Sequence, residues 1–186
     1  MRHVIAPTIK EIKGDSMKFQ ANLAIALFCF CTSASASGYV GIGFGETDYD
    51  VSPFDDPDGI EIYLGFESNE NLGFEFGIVD FGEADDGIPP EWHLEADSLA
   101  FSLLGKAPVG EKAEVFFQFG LHLWDAELSE DGFGVLAEDD GSDIFYGFGF
   151  RGNITDKVGL GLRYNNYDFG GEDVTRLSLN AQINFD

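Results

Sequence analysis

Two of the three histidines, His93 and His122, are candidates for nucleophilic or general-base chemistry. A histidine that activates a nucleophile needs a serine and an acid within reach. His93 is close in sequence to Glu95, Asp97 and Ser98, a set that contains the required residue types. One hypothesis is therefore an acyl-transfer or hydrolytic centre at His93, whereas His122 is interpreted as a hydrogen-bonded structural residue.

Clustered carboxylates suggest a second chemistry, the binding of Ca²⁺ or Mg²⁺ by oxygen ligands. Residues 49–58, 83–91, 126–142 and 168–173 contain 17 Asp and Glu, in groups of four, four, six and three. None of these segments has the spacing of an EF-hand, so a solvated acidic surface is the simpler interpretation and no cofactor is expected. The candidate cation ligands are Asp55, Asp56, Asp58, Asp139, Asp140 and Asp143.

Composition limits the class of protein to which these residues belong. The chain has 186 residues, enough for one domain with a core but not comfortably for two. Its 34 Asp and Glu against 10 Lys and Arg argue against nucleic-acid binding, which needs a basic surface. The 24 Gly and 19 Phe favour strands over helices.

The first 36 residues have the pattern of a targeting segment. Lys18 precedes the largely apolar residues 19–30, and the small residues 32–36 follow, which predicts a secretory signal peptide cleaved after Ala36. The apolar run is shorter than the roughly 20 residues of a membrane-spanning helix, so a retained anchor is only an alternative. Met17 is the expected start of translation. Both cysteines lie in this segment, and the expected regions are 1–36 and a folded domain at 37–186.

Apolar residues alternate with small or polar residues in eight segments of the expected domain. Val40, Ile42 and Phe44, for example, alternate with glycines. A period of two over this length predicts strands that span a bilayer when tilted. The predicted strands are 39–48, 59–67, 72–82, 92–104, 113–125, 143–152, 157–167 and 174–185.

The predicted connections alternate between short turns and long loops. Residues 68–71, 105–112 and 153–156 are predicted to be short turns, and the four acidic segments to be long loops. This alternation is typical of up-and-down barrels in outer membranes. Because the number of strands is even, both termini are expected on the short-turn side, facing the periplasm of a Gram-negative bacterium.

A soluble barrel with an apolar interior would also alternate, and two features favour a membrane barrel instead. The face opposite the apolar residues is rich in Gly, Ser, Asn and Gln, which suits the crowded interior of an eight-stranded cylinder. Aromatic residues occur near the ends of the apolar face, as at membrane interfaces: Phe44, Phe66, Tyr164, Phe185 and Trp92. We therefore predict an all-β, eight-stranded, antiparallel, up-and-down transmembrane barrel, preceded by a cleaved signal peptide. The first strand should pair with the eighth, because an open edge leaves backbone groups unpaired in lipid.

Ionisable side chains of both signs occupy inward positions of the predicted strands. Burying one sign alone is costly, so these residues are expected to form an interior charge network. Its predicted members are Glu61, Glu75, Glu114, Arg151, Arg163, Arg176 and His122. Lys106, Lys112 and Lys157 fall in or beside the short turns. The network is interpreted as filling the barrel, and the alternative is a gate that rearranges to pass ions.

Four segments together resemble the OmpA-like outer-membrane β-barrel domain family: residues 73–77, 147–151, 160–164 and 177–185. The resemblance covers residues 37–186. It implies insertion by the outer-membrane assembly machinery and a buried salt-bridge network, in which Glu75 matches the family's interior glutamate on the third strand. Arg151 stands where the protein that gives the family its name has an acid, so the pairing in that protein does not transfer.

These observations predict an integral outer-membrane protein with a structural, envelope-integrity or surface-interaction role and no catalysis. Its expected surroundings are outer-membrane lipid and lipopolysaccharide, and its expected state is a monomer without a nucleic-acid partner. The alternatives are a narrow ion-conducting pore and a lipid A-modifying enzyme that uses His93.

Overall fold

The computed structural model describes residues 37–185, apart from Ser52 and Pro90. The signal peptide, its cleavage after Ala36 and the start at Met17 lie outside the described residues and stay predictions. No helix among the described residues is long and apolar enough to cross a membrane. The eight strands are β1 (Gly38–Asp48), β2 (Asp58–Asn69), β3 (Leu72–Asp85), β4 (Trp92–Pro108), β5 (Ala113–Glu130), β6 (Gly134–Asn153), β7 (Val158–Phe169) and β8 (Glu172–Phe185).

The strands form a closed antiparallel barrel in which each strand pairs with the next. β1 closes the sheet against β8, with Phe44 opposite Leu179. Closure gives every strand two neighbours in the barrel wall, whereas residues 134–144 of β6 pair with β5 alone. The predicted eight-stranded up-and-down topology is confirmed.

Apolar side chains cover the outside of the barrel. Ile62 and Leu179 are 56% and 69% exposed, and Phe117 and Phe148 also point outward. We call these outward apolar residues the apolar belt; they lie within residues 40–44, 60–66, 72–78, 99–103, 115–123, 144–150, 158–164 and 177–185. Trp92 differs from the expectation, because it pairs with Glu130 near a hairpin tip and not at the edge of the belt.

Glycines on the inner face make room for two tyrosines that cross from strand to strand. The ring of Tyr39 lies over Gly65, and the ring of Tyr63 lies over Gly41. A Cβ atom at either glycine would overlap the tyrosine ring above it. The narrow barrel can therefore hold these large side chains only because glycine faces them.

The two ends of the barrel differ. The terminal end carries Gly38, Phe185 and the turns 70–71, 109–112 and 154–157, whereas the hairpin end carries the connections 49–57, 86–91, 131–133 and 170–171. β5 and β6 have 18 and 20 residues, about 60 Å of strand each, roughly twice the length that spans a bilayer.

Two of the predicted long loops are therefore wrong. Most of 126–142 continues β5 and β6 to the turn 131–133, and 168–173 narrows to the turn 170–171. β3 also extends through residues 83–85. Acidic side chains do not prevent hydrogen bonding between the backbones of neighbouring strands. Gly132 and Gly134, both with positive φ, allow the tight turn at 131–133.

An apolar cluster fills the inside of the barrel toward the hairpin end. The rings of Phe145 and Tyr167 stack at 4.9 Å, and Phe81 packs edge-on against Tyr167, also at 4.9 Å. Its buried members are Tyr49, Val79, Phe81, Ala84, Ala96, Ala100, Phe145, Tyr167 and Val174. The interior is thus filled by aromatic rings as well as by the glycines and charges that the sequence predicts.

Candidate functional site

The centre of the barrel contains a buried ion pair that joins three strands. Arg163 of β7 donates from Nη2 to one carboxylate oxygen of Glu75 of β3 at 3.0 Å, and its Nη1 lies 2.9 Å from the other oxygen. Glu61 of β2 lies 3.7 Å from the same guanidinium. All three residues are buried, and the two parallel contacts to Glu75 make this the geometrically specific pair.

Neutral side chains complete the hydrogen bonding of this central layer. The hydroxyl of Tyr39 donates to Glu75 at 2.7 Å, and Gln118 donates to the other carboxylate oxygen at 3.2 Å. Ser178 donates to Glu61 at 3.0 Å. Each carboxylate therefore accepts hydrogen bonds from neutral side chains in addition to its contact with Arg163. Together these interactions offset the free-energy cost of burying the charge.

A second charged layer lies at the terminal end. Arg151 donates from Nε to Glu114 at 2.8 Å and from Nη1 to Gln182 at 2.8 Å. Lys106 lies 2.8 Å from Glu67. The sequence placed Lys106 in a turn, but β4 continues to Pro108 and directs the lysine inward, where it is buried. Its even spacing from the inward residues of β4 is the signal that would have identified it.

Two predicted members of the network lie apart from the acids. Within the described residues Arg176 makes no ion pair, and it donates instead to Thr47 Oγ1 at 3.2 Å and to the Gly59 carbonyl at 2.7 Å. His122 donates from Nε2 to the carbonyl of Asp168 at 2.8 Å, and aromatic rings surround its imidazole edge-on. Glu61, Glu75, Glu114, Arg151 and Arg163 are the predicted residues that the structure brings together.

Around Arg163 the described side chains leave little open space. Two internal cavities beside Arg163 measure about 10 Å³ each, room for about one water molecule. At the terminal end a wider vestibule of about 290 Å³ is lined by Lys112, Glu114, Arg151 and Asn153 among others. The central layer and the aromatic cluster therefore separate this vestibule from the hairpin end.

The outward face of the hairpin end carries carboxylates in direct cross-strand register. One row, the Asp row, crosses β3 to β6 next to the apolar belt and consists of Asp80, Asp97, Asp125 and Asp140. A second row, the Glu row, lies one step farther out and consists of Glu83, Glu95, Glu127 and Glu138. Like charges in directly opposed positions destabilise a sheet.

The protonation of these acids reflects their crowding. Burial, followed by the negative charges of Asp80 and Asp125, raises the pKa of Asp97 above its usual range. The pKa of Glu95 is raised by burial first and then by neighbouring acids, with Asp97 the largest contributor. Residues 46–58, 80–97, 125–143 and 168–173 contain 24 Asp and Glu and no Lys or Arg, so His93 is the one basic side chain in these segments.

The predicted cation ligands do not assemble into a common site. Asp55 accepts from the backbone of Asp85 at 2.8 Å, and Asp139 accepts from the backbone of Asp140 at 3.0 Å. Asp143 accepts from Trp124 Nε1 at 2.9 Å, a contact that lowers the pKa of this carboxyl. Asp56 and Asp58 are exposed. In the described part of the chain, groups of three potential ligands occur only around His93.

The hypothetical catalytic set at His93 is divided between the two faces of β4. Ser98 points into the barrel and is buried, whereas His93 contacts Asp85 and Glu83 on the outer face. Because side chains alternate along a strand, β4 cannot bring this serine to the imidazole. The arrangement separates His93 from the serine that the hypothesis names, and the serine opposite His93 in the sheet is Ser129 of β5.

Comparisons with known proteins agree with the barrel architecture. The sequence profile of the family described as "Outer membrane protein beta-barrel domain" matches residues 22–185. No curated protein matches the chain. Among solved structures, Ail, the attachment invasion locus protein of Yersinia pestis, in complex with the heparin analogue sucrose octasulfate, is similar with a TM-score of 0.58 and 14% identity, covering 81% of this chain and 97% of Ail.

Two further structures share the fold at low identity. Neisserial surface protein A (NspA) is similar with a TM-score of 0.56 and 16% identity, covering 82% of this chain and 98% of its own. The outer membrane protein OprG from Pseudomonas aeruginosa reaches a TM-score of 0.61 at 9% identity, covering 81% of this chain and 96% of its own. With the family match across most of the residues, the chain belongs to the outer membrane protein beta-barrel domain family, which occupies the bacterial outer membrane.

Proposed function

We propose that this protein is a non-catalytic barrel that stabilises the outer membrane and presents the β3–β4 and β5–β6 hairpins at the cell surface. The observation that carries the proposal is the contrast between interior and hairpins. Charged and aromatic layers fill the barrel, whereas β5 and β6 continue far beyond the apolar belt. Long strands that project from a filled barrel are suited to contact with other molecules. A filled barrel is poorly suited to the passage of solutes.

The proposed orientation places the terminal end in the periplasm and the hairpin end outside. The short turns, the start of β1 and the end of β8 all lie on one side of the barrel, as is typical of outer-membrane barrels. Protease added to intact cells should cleave within 131–133 and spare the turn 154–157. Cleavage of the turn 154–157 alone would reverse the orientation.

The proposal excludes a steady ion pore at neutral pH. Arg163, Glu75 and Glu61 close the centre through side chains that are themselves hydrogen-bonded. Planar bilayers that contain the purified protein should show no reproducible conductance steps. Regular steps that disappear on heat denaturation would support the pore alternative instead.

A catalytic set of His93 and Ser98 is disfavoured because the two side chains lie on opposite faces of β4, and Ser129 is the serine opposite His93. Mass spectrometry of lipid A compares a deletion strain with strains that express the wild-type protein or His93→Ala. We expect one acyl pattern in all three. A pattern present only with wild-type protein would establish the enzyme alternative.

The surface chemistry favours cationic partners. The Ail structure contains a sulfated sugar analogue, but the hairpin end of this chain is acidic and its segments contain no Lys or Arg, so a polyanion of that kind would be repelled. The Asp row borders the apolar belt, at the level where lipopolysaccharide phosphates are expected. Divalent ions between the two anionic surfaces would relieve their repulsion. A deletion strain should show altered permeability and altered sensitivity to EDTA, and an unchanged envelope would count against a role in its integrity.

A further inference from the structure

We propose that Glu83, Asp85 and His93 form a binding site for a divalent transition-metal ion, with Zn²⁺ as the reference ion, on the outer face of the β3–β4 hairpin. Each residue offers one ligand atom, and these atoms all lie within 4.8 Å of one another. This site goes beyond the proposed function, which requires no bound metal.

The register of β3 and β4 brings the three side chains together. Asp85 is the direct cross-strand partner of His93, and its carboxylate contacts the imidazole Nδ1. Glu83 lies 3.4 Å from the same nitrogen. All three residues belong to paired strands and not to a loop, which favours a well-defined position for each ligand.

An irregularity in β3 directs Glu83 to this face. The register shifts between Asp80 and Glu83, and Gly82 adopts a φ of +84° there. With regular alternation Glu83 would point inward like Val79 and Phe81, but the shift places it outward like Asp80. Bulges commonly re-aim a side chain beside a functional site.

The donor set favours a transition metal over Ca²⁺ or Mg²⁺. One imidazole nitrogen and two carboxylate oxygens suit Zn²⁺ and its neighbours, and three protein ligands leave a coordination position for water. Glu95 faces Glu83 across the strands and adds negative charge beside the site. A bound dication would link β3 to β4 and offset the repulsion along the Glu row.

The other ring nitrogen defines a rival position. Nε2 of His93 lies 3.5 Å from Asp131, and Glu91 completes a second possible group of three ligands. Asp131 belongs to the turn 131–133 and not to a strand. The proposal commits to the Nδ1 side, where both carboxylates are held by paired strands.

The test is isothermal titration of ZnCl₂ into the purified full chain refolded in detergent. Cys29, Cys31, His3 and His122 are other nitrogen or sulfur ligands of the chain, so the readout is the difference between wild type and each variant. We expect His93→Ala to abolish one binding event or weaken it at least tenfold, and Glu83→Gln and Asp85→Asn to weaken it severalfold. The matched controls Glu91→Gln and Asp131→Asn should bind as the wild type does.

Two outcomes would overturn the proposal. Equal Zn²⁺ binding by wild type and His93→Ala would mean that only a diffuse acidic surface is present. A loss in Asp131→Asn without a loss in Glu83→Gln would move the ion to the Nε2 side. Heat-modifiable gel mobility checks that each variant is folded. In a separate measurement, a Co²⁺ absorption spectrum that changes on His93→Ala would identify the imidazole as a metal ligand.

Discussion

Replacing Arg163 by Met should destabilise the barrel strongly, because it leaves two acids buried without their cation. Arg163 contacts Glu75 through two nitrogens and lies 3.7 Å from Glu61, and both glutamates are buried. Removing one partner of a buried ion pair typically costs about 3–5 kcal/mol of unfolding free energy. We expect a loss of that size in urea unfolding in lipid vesicles, followed through the fluorescence of the inward-facing Trp124 and by heat-modifiable mobility.

Two matched variants separate the lost charge pair from a general packing defect. Arg163→Met combined with Glu75→Gln removes both charges of the main pair and should recover most of the loss, since the amide oxygen of the new side chain can still accept from Tyr39. Arg176→Met removes a buried arginine that is bound to neutral oxygens and should cost less than Arg163→Met. A loss of less than about 1 kcal/mol in Arg163→Met, or no rescue by Glu75→Gln, would contradict a stabilising role for this ion pair.

Two further predictions concern the inner face and the acidic rows. Gly65→Ala should cost about 1–3 kcal/mol because its methyl group would overlap the ring of Tyr39, whereas Gly105→Ala, which meets open space, should be nearly neutral in the same unfolding assay. Asp97→Asn should raise stability at neutral pH by up to about 1 kcal/mol, since it removes one charge from the Asp row. The raised pKa of Asp97 means that the folded state binds the proton more tightly than the unfolded state, so the wild type gains stability as the pH falls from above this raised pKa toward about 4. The change in unfolding free energy between pH 8 and pH 5 should be smaller for Asp97→Asn than for the wild type. A larger change in the variant would contradict the raised pKa of Asp97.

The strands and the directions of their side chains could be predicted because a membrane barrel obeys a period of two along most of its length. Ile62 and Leu179 point outward, and Glu75 and Arg163 inward, as their positions in the alternation indicate. The physical basis is that lipid and a crowded interior select opposite residue types on the two faces.

The hairpin extensions and much of the interior could not be predicted, because they depend on register. Asp and Glu in 126–142 have the composition of a loop, yet their backbone pairs across β5 and β6 and lines the carboxylates up in rows. Arg176 finds carbonyl oxygens near the irregular part of β3, which composition does not reveal. Lys106 lies beyond residue 104, where the sequence predicts the end of β4, but the strand continues to Pro108.

The central claim, that the apolar face of the sheet meets lipid, is tested most directly by spin labels along β8. Single cysteines at 177, 178, 179 and 180, with Cys29 and Cys31 replaced by Ser, carry a nitroxide in lipid vesicles. Labels at 177 and 179 should collide readily with dissolved oxygen, whereas those at 178 and 180 should be protected and immobilised inside the barrel. The reverse alternation, or equal collision with a water-soluble nickel complex at all four positions, would contradict the account.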